Sequence, residues 1–329
     1  MATQPAHDVA ERQPDSPTDL SRRSWWSVLK RTGKQFQEDN LSDWAAALTY
    51  YAILSIFPGL LVLVSVLGLF GRSTVRSMVD NIGQLTPGAA RQILTDAVNN
   101  LQHAKGAAGV LAIVGLVGAL WSASGYIAAF VRAANAIFDV PEGRPIWKTL
   151  PLRLGLTLVT GVLLAITVLA VVFTGRFAEQ IGKVFGIGSV AVNVWDVAKW
   201  PVLVLAIGLL FALLYWASPN ARPGGFKWIT PGSALAVFVW LVVSGGFAFY
   251  VANFGSYNKV YGTLGTVIIF LVWLWLSNLA VLLGGEFDAE LARQRAIEGG
   301  QPPDAEPYLP LRDDRKVDRS DQPAEQGLR

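Results

Sequence analysis

The residues of this chain that could do chemistry fall into three groups. Residues 284–293 (GGEFDAELAR) hold Glu286, Asp288, Glu290 and Arg293, with Glu286 and Glu290 one helical turn apart and so on one face. Paired carboxylates can do general acid–base work, but no nucleophile or metal-ligand set lies nearby in sequence. The expectation is that they cap helices or pair with basic loops, such as the one containing Arg222 and Lys227. Residues 132–148 (RAANAIFDVPEGRPIWK) gather Arg132, Asn135, Glu142, Arg144 and Lys148. Ion pairs that fix loop geometry are the plain reading of this group. An anionic headgroup site is the sharper one, because the Arg fork matches phosphate. The third group is uncharged: Thr49, Tyr50, Ser55, Ser122, Ser124 and Asn278 lie within apolar runs. An amide such as Asn278 must find a hydrogen-bond partner in hydrocarbon, and a neighbouring helix is the plain one. If these side chains face one another, they frame with Pro58 a polar but uncharged cavity.

Several chemistries lack their residues. There is no Cys, so disulfides, thiolate catalysis and Cys-ligated metal are excluded. The two His, His7 and His103, are too far apart in sequence to form a local metal motif. No phosphate-binding Gly loop of the Walker type, zinc signature or nucleophile elbow appears, so neither a cofactor nor ATP hydrolysis by the chain itself is implied. The net charge of +3 does not suggest a nucleic-acid partner.

The elements that must position these residues are membrane helices. The chain is 52% hydrophobic and 16% charged, against roughly 25% charge in a soluble domain. Its mean hydropathy is +0.41. Six stretches, at about 43–70, 107–131, 151–174, 197–217, 230–253 and 262–285, reach the roughly 20 residues a span needs. None carries Asp, Glu, Lys or Arg deep inside, and Lys199 lies close enough to an end to snorkel. Intramembrane charges usually mark pumps and proton-coupled carriers, so their absence argues against ion coupling. Pro58-Gly59 predicts a kink or break in the first span. Gly118 with Ser122, and Ser124 with Ala128, have the spacing that lets helices approach closely.

Outside the spans, residues 1–23 and 299–329 have the composition of disordered tails, and the membrane domain occupies 24–298. Residues 24–38 form an amphipathic helix, with Trp25, Val28, Leu29, Thr32 and Phe36 on one face. It lies on the membrane surface or docks on the protein's own loops. The first loop between spans, 71–105, carries two further amphipathic segments around Thr86-Pro87. Six spans put both termini on one side. Lys and Arg number 19 on that side and eight on the other, which by the positive-inside rule places both termini in the cytoplasm. The whole is an all-α polytopic membrane protein of six transmembrane helices.

In this order, Tyr50-Tyr51-Ala52-Ile53-Leu54-Ser55-Ile56-Phe57-Pro58, Trp121-Ser122-Ala123-Ser124, Asn135 with Glu142 and Arg144, Tyr257 to Gly265 (YNKVYGTLG), Trp273-Leu274-Trp275 and Gly284-Gly285-Glu286 resemble the YihY/BrkB family of bacterial inner-membrane proteins. The resemblance spans about residues 25–295. It implies a six-span inner-membrane protein with cytoplasmic termini and supplies no catalytic residues. Some members of that family carry a ribonuclease BN label and others are called virulence or serum-resistance factors. Zinc-dependent RNA cleavage needs clustered His and Asp ligands, which this sequence does not group. The expected function is therefore not enzymatic: movement or handling of a lipid or other amphiphile, with membrane lipids as partners. The alternative is an adaptor that docks an envelope protein through residues 72–105. A membrane enzyme stands last, since no catalytic set is found. Nothing in the sequence sets an oligomeric state.

Overall fold

The computed structural model describes residues 14–68, 108–172, 189–225, 228, 230–254 and 263–317. The helices follow the apolar runs, which are rich in Leu and Ala, residues that lose little side-chain freedom on coiling. Among the described residues there are seven α-helices and no strand, apart from one isolated backbone bridge between Ala221 and Leu311. The helices are α1 (Arg22–Glu38), α2 (Leu41–Gly68), α3 (Ala108–Ile137), α4 (Ile146–Val172), α5 (Ser189–Ala217), α6 (Thr230–Phe254) and α7 (Thr263–Glu298).

Four stretches, Ile146–Thr167, Val197–Ala217, Thr230–Val251 and Val267–Glu298, are long and apolar enough to cross a membrane. Their outer faces leave large apolar side chains open, among them Leu205 at 72% and Phe249 at 70% exposure. Such faces belong in lipid rather than water. The 36 residues of α7 extend roughly 54 Å, well beyond a hydrocarbon layer of about 30 Å. Its charged residues gather in the C-terminal part, from Glu286 on.

Several local expectations need correction. The chain stays helical through Pro58-Gly59, so the proline makes no break in α2; the Pro58 side chain lies outside the described residues. The third expected span starts earlier, at Ile146, and takes Pro151 inside the helix. The helix that holds the fourth span begins earlier, at Ser189, and encloses Pro201, while its apolar stretch, Val197–Ala217, has the expected bounds. Lys199 therefore lies inside α5 but, as expected, near the start of that apolar stretch. It is 2% exposed, with its ammonium 5.8 Å from the centre of the Trp200 ring. The loop 71–105, with its two amphipathic segments, lies outside the described residues.

The chain divides into two compact units. One comprises Met1–Thr49, Ala128–Pro151 and Ile207–Arg329. Within it α6 and α7 meet backbone to backbone. A Cβ on Gly284 would lie 2.5 Å from the Gly232 carbonyl oxygen, 2.6 Å from the Ala236 Cβ and 2.8 Å from the Tyr215 hydroxyl. Only a residue without a side chain permits that approach. Helix α1, capped by the Ser21 hydroxyl accepting from the Ser24 N–H at 3.1 Å, packs on the C-terminal part of α7. It buries Val28 and Thr32, with Leu20, Val28, Trp228, Phe287 and Leu291 as the local core. Leu29 on the expected apolar face is instead 49% exposed. Docking on the protein's own helix thus accounts for the buried face of α1. Composition also misjudged both tails in part: Pro17–Asp19 forms a turn of 3-10 helix and Leu20 is buried. Residues 299–317 fold back on this unit, burying Tyr308, Leu309 and Asp313.

The second unit comprises Tyr50–Ile127 and Leu152–Ala206. There Gly125 packs on the Tyr51 ring, with a Cβ position 3.2 Å from Tyr51 Cδ1. Gly118, read as a packing position, has nothing within 4 Å of its Cβ position.

Candidate functional site

The segment between α3 and α4 is built around one carboxylate. Glu142 accepts from Arg144 Nε at 2.7 Å and Nη2 at 2.6 Å, a two-pronged pair, and from the Asn135 amide at 2.9 Å. Burial would raise the pKa of Glu142, but Arg144 and Asn135 hold it below its ordinary value. Arg144, 5% exposed, also donates to the Ser218 carbonyl at 2.8 Å. Asn220 extends the lock: its N–H donates to Asn135 Oδ1 at 2.7 Å and its amide to the Asp313 carbonyl at 2.7 Å. Lys148 pairs with the Asp313 carboxylate at 2.5 Å. Arg132, one turn before Asn135, is exposed. Arg144 and Lys148, two of the cations expected to meet a headgroup, are thus engaged by Glu142 and Asp313. The plain reading, ion pairs that fix the loop, describes this geometry.

The second constellation surrounds the C-terminal part of α7. Glu286 and Glu290 are 1% and 2% exposed. They do not meet the Arg222 loop, as the sequence suggested; Lys227 lies outside the described residues. Glu290 pairs instead with Arg31 of α1, whose guanidinium also donates to Gln294 at 3.0 Å. The carboxyl groups of Glu286 and Asp39, the latter between α1 and α2, lie close enough to act on one another. Burial, above all, raises the pKa of Asp39. Glu286 Oε2 and Asp39 Oδ2 are both buried and accept no bond. Arg293 pairs with Asp139 at 2.5 Å and Glu306 at 3.6 Å, and lies 4.7 Å over the Tyr308 ring. On another face of α7, Asp288 accepts from the Gly232 N–H at 2.6 Å and so caps the start of α6.

The uncharged residues separate into small groups. In the first unit, the Asn278 amide donates to the Thr49 hydroxyl at 3.0 Å, both buried. In the second, the Ser122 hydroxyl donates to the Leu54 carbonyl at 3.0 Å and the Ser55 hydroxyl to the Tyr51 carbonyl at 2.7 Å. Ser124 is buried and accepts from Arg153 Nε at 2.9 Å, while that guanidinium lies 5.4 Å from the Trp121 ring centre. Tyr50 is 62% exposed. Each described group is thus tied to a near neighbour.

Sequence reasoning missed Asp39, Asp139, Asn220 and Asp313. Asp39 and Asp139 stand at helix ends beside or within positive-φ turns (Asn40 at 52°, Asp139 at 50°), a signal that Asn and Asp carry. Asp313 gave no signal, because it lies in a stretch whose composition reads as tail. Among the described residues, no three of His, Cys, Asp and Glu come together in a way that could hold a metal ion.

The chain matches the family described as virulence factor BrkB over residues 32–308. It is 30% identical to the ribonuclease-like protein YfkH of Bacillus subtilis, across 86% of this chain and 99% of that one. It is also 30% identical to a UPF0761 membrane protein of Alkalilimnicola ehrlichii, across 82% of this chain. A third relative, a UPF0761 membrane protein of Alteromonas mediterranea, is 28% identical over 78% of this chain and 85% of its own length. The match spans 60% of the length of the Alkalilimnicola relative. No solved structure matches. The order of motifs along the chain, the apolar helices and these relatives agree that this is a membrane protein of the virulence factor BrkB family.

Proposed function

We propose that the protein carries or accommodates a lipid or other amphiphile in the bacterial inner membrane, which it crosses six times with both termini cytoplasmic. It does so without ATP hydrolysis of its own. The reading rests on how polarity is divided. Thr49, Asn278, Ser55 and Ser122, within apolar helices, are neutral and hydrogen-bonded. Guanidiniums and carboxylates gather toward helix ends and connecting segments, at 135–148, 286–295 and 306–316, with Arg153 and Lys199 near the starts of the apolar stretches Ile146–Thr167 and Val197–Ala217. A molecule with an apolar body and a charged head matches that division, whereas a small ion would need charge at depth. The excess of Lys and Arg on the side of the termini supports the orientation. RNA cleavage, suggested by the name of one relative, finds no support in the residues. Zinc-dependent cleavage would need clustered His and Asp ligands, which the sequence does not group.

The test is transbilayer movement of labelled phosphatidylglycerol in liposomes containing the purified full-length protein. Exchange faster than in protein-free vesicles is expected. Exchange at the protein-free rate, with the protein shown to be folded, removes the reading.

A further inference from the structure

We propose that Arg222 and Arg312 form a binding site for a phosphate group, presented by an anionic phospholipid or by free phosphate, where α5 leaves the apolar layer. The site is a cavity of about 410 Å³ lined by Arg222, Pro307, Leu311, Arg312, Asp313 and Asp314. The amphiphile reading above bears only on the source of the phosphate.

Charge balance carries the assignment. Arg222 is exposed, and its backbone N–H is held by the Pro310 carbonyl at 3.0 Å. No described side chain bonds its guanidinium. Arg312 is oriented by two backbone carbonyls, that of Ala221 at 2.6 Å and that of Trp216. Carbonyls fix a guanidinium without neutralising it, and two of its five N–H donors are used. Burial, and then the charges of Arg144 and Arg222, lower the pKa of Arg312; an anion between the guanidiniums would relieve that repulsion. Asp313 does not supply it, because its carboxylate serves Lys148 and Arg315. Asp314 is the remaining carboxylate of the lining and is exposed, so it competes with any bound anion.

Placement points to a headgroup. Trp216 is 41% exposed, and the Arg312 guanidinium lies 5.0 Å from its ring centre. It is the next-to-last residue of α5 and of the apolar stretch Val197–Ala217. Indole rings at that position mark the interface, the level at which phospholipid phosphates lie.

The experiment is native mass spectrometry of the full-length protein in detergent, titrated separately with short-chain phosphatidylglycerol, short-chain phosphatidylcholine and inorganic phosphate. Phosphatidylglycerol is expected to bind in preference to phosphatidylcholine. Arg222→Gln should weaken it by roughly tenfold, the loss of one charge-assisted pair, and Asp314→Asn should strengthen it. Neither side chain holds the fold together, so both variants should melt as the parent does. Inorganic phosphate that binds with the same response to the two variants supports the site and makes free phosphate the ligand. Phosphatidylglycerol binding unchanged in both variants overturns the site. Lost binding in Arg222→Gln with no lipid movement in the parent leaves the site standing and removes the transport reading. Lipid movement with binding insensitive to both variants does the reverse.

Discussion

Asp139, in the turn that follows α3, takes a left-handed conformation, at φ 50°, and its carboxylate lies against Arg293. The ion pair does not keep its pKa low. Burial pushes it up to about 6, and the charges of Glu306 and Asp39 act in the same direction against the pull of Arg293. Arg293 cannot compensate, since it also faces Glu290 and Glu306. A carboxyl whose folded pKa lies above its unfolded value adds stability that is complete in acid and is lost as the pH rises through the folded value. The window here runs from about pH 4 to about 6. Asn accepts the same backbone conformation without titrating, so Asp139→Asn isolates the effect. Between pH 7 and pH 4 the wild-type protein should gain stability relative to Asp139→Asn by on the order of 1–3 kcal/mol. Thermal unfolding in detergent across that range measures it. A difference that does not change with pH would show that burial at Asp139 is offset by Arg293 after all.

At the scale of elements, the segment after α7 acts as a strap. Asp313 receives Lys148 and, through its backbone, Asn220, while the Lys316 N–H donates to the Gly143 carbonyl at 3.1 Å. A Cβ on Gly143 would overlap the Asp313 carbonyl oxygen and lie 3.0 Å from the Asp314 Cα. Backbone cannot move aside as a side chain does, so Gly143→Ala should displace the strap. Overpacking of this kind costs roughly 1–3 kcal/mol, enough to raise the open population about tenfold. Trypsin should then cut after Arg312 or Arg315 about tenfold faster than in the parent, with the helical circular dichroism retained. An unchanged cleavage rate would mean that the strap does not depend on this contact. The strap also shows where the sequence was legible. The apolar runs that became α4 to α7 were readable because each carries its own helical signal in composition and length. The partners of Glu142 and Arg144 were readable because they are close in sequence. Asp313, Asn220 and Asp39 were not, since their roles depend on contacts 93 residues apart in one case and between helix ends in another. Composition likewise hid the strap, because its few apolar side chains, Tyr308 and Leu309, find a core that other segments supply.

For the whole molecule, orientation decides whether the Arg222–Arg312 cavity meets the inner or the outer leaflet. The cavity draws on the segment after α5 and the strap after α7, so it lies on the side of the C-terminal segment. In the proposed topology, which the excess of Lys and Arg supports, that side is cytoplasmic. The absence of Cys makes this directly testable, since any introduced cysteine is the only thiol. Asp304 is exposed in the strap, and Asn99 belongs to the loop assigned from sequence to the outer side. In intact spheroplasts a membrane-impermeant maleimide should label Asn99→Cys and spare Asp304→Cys, and after lysis it should label both. Labelling of Asp304→Cys in intact spheroplasts would invert the topology. The same two guanidiniums would then face the outer leaflet, and anionic lipid would have to be sought there.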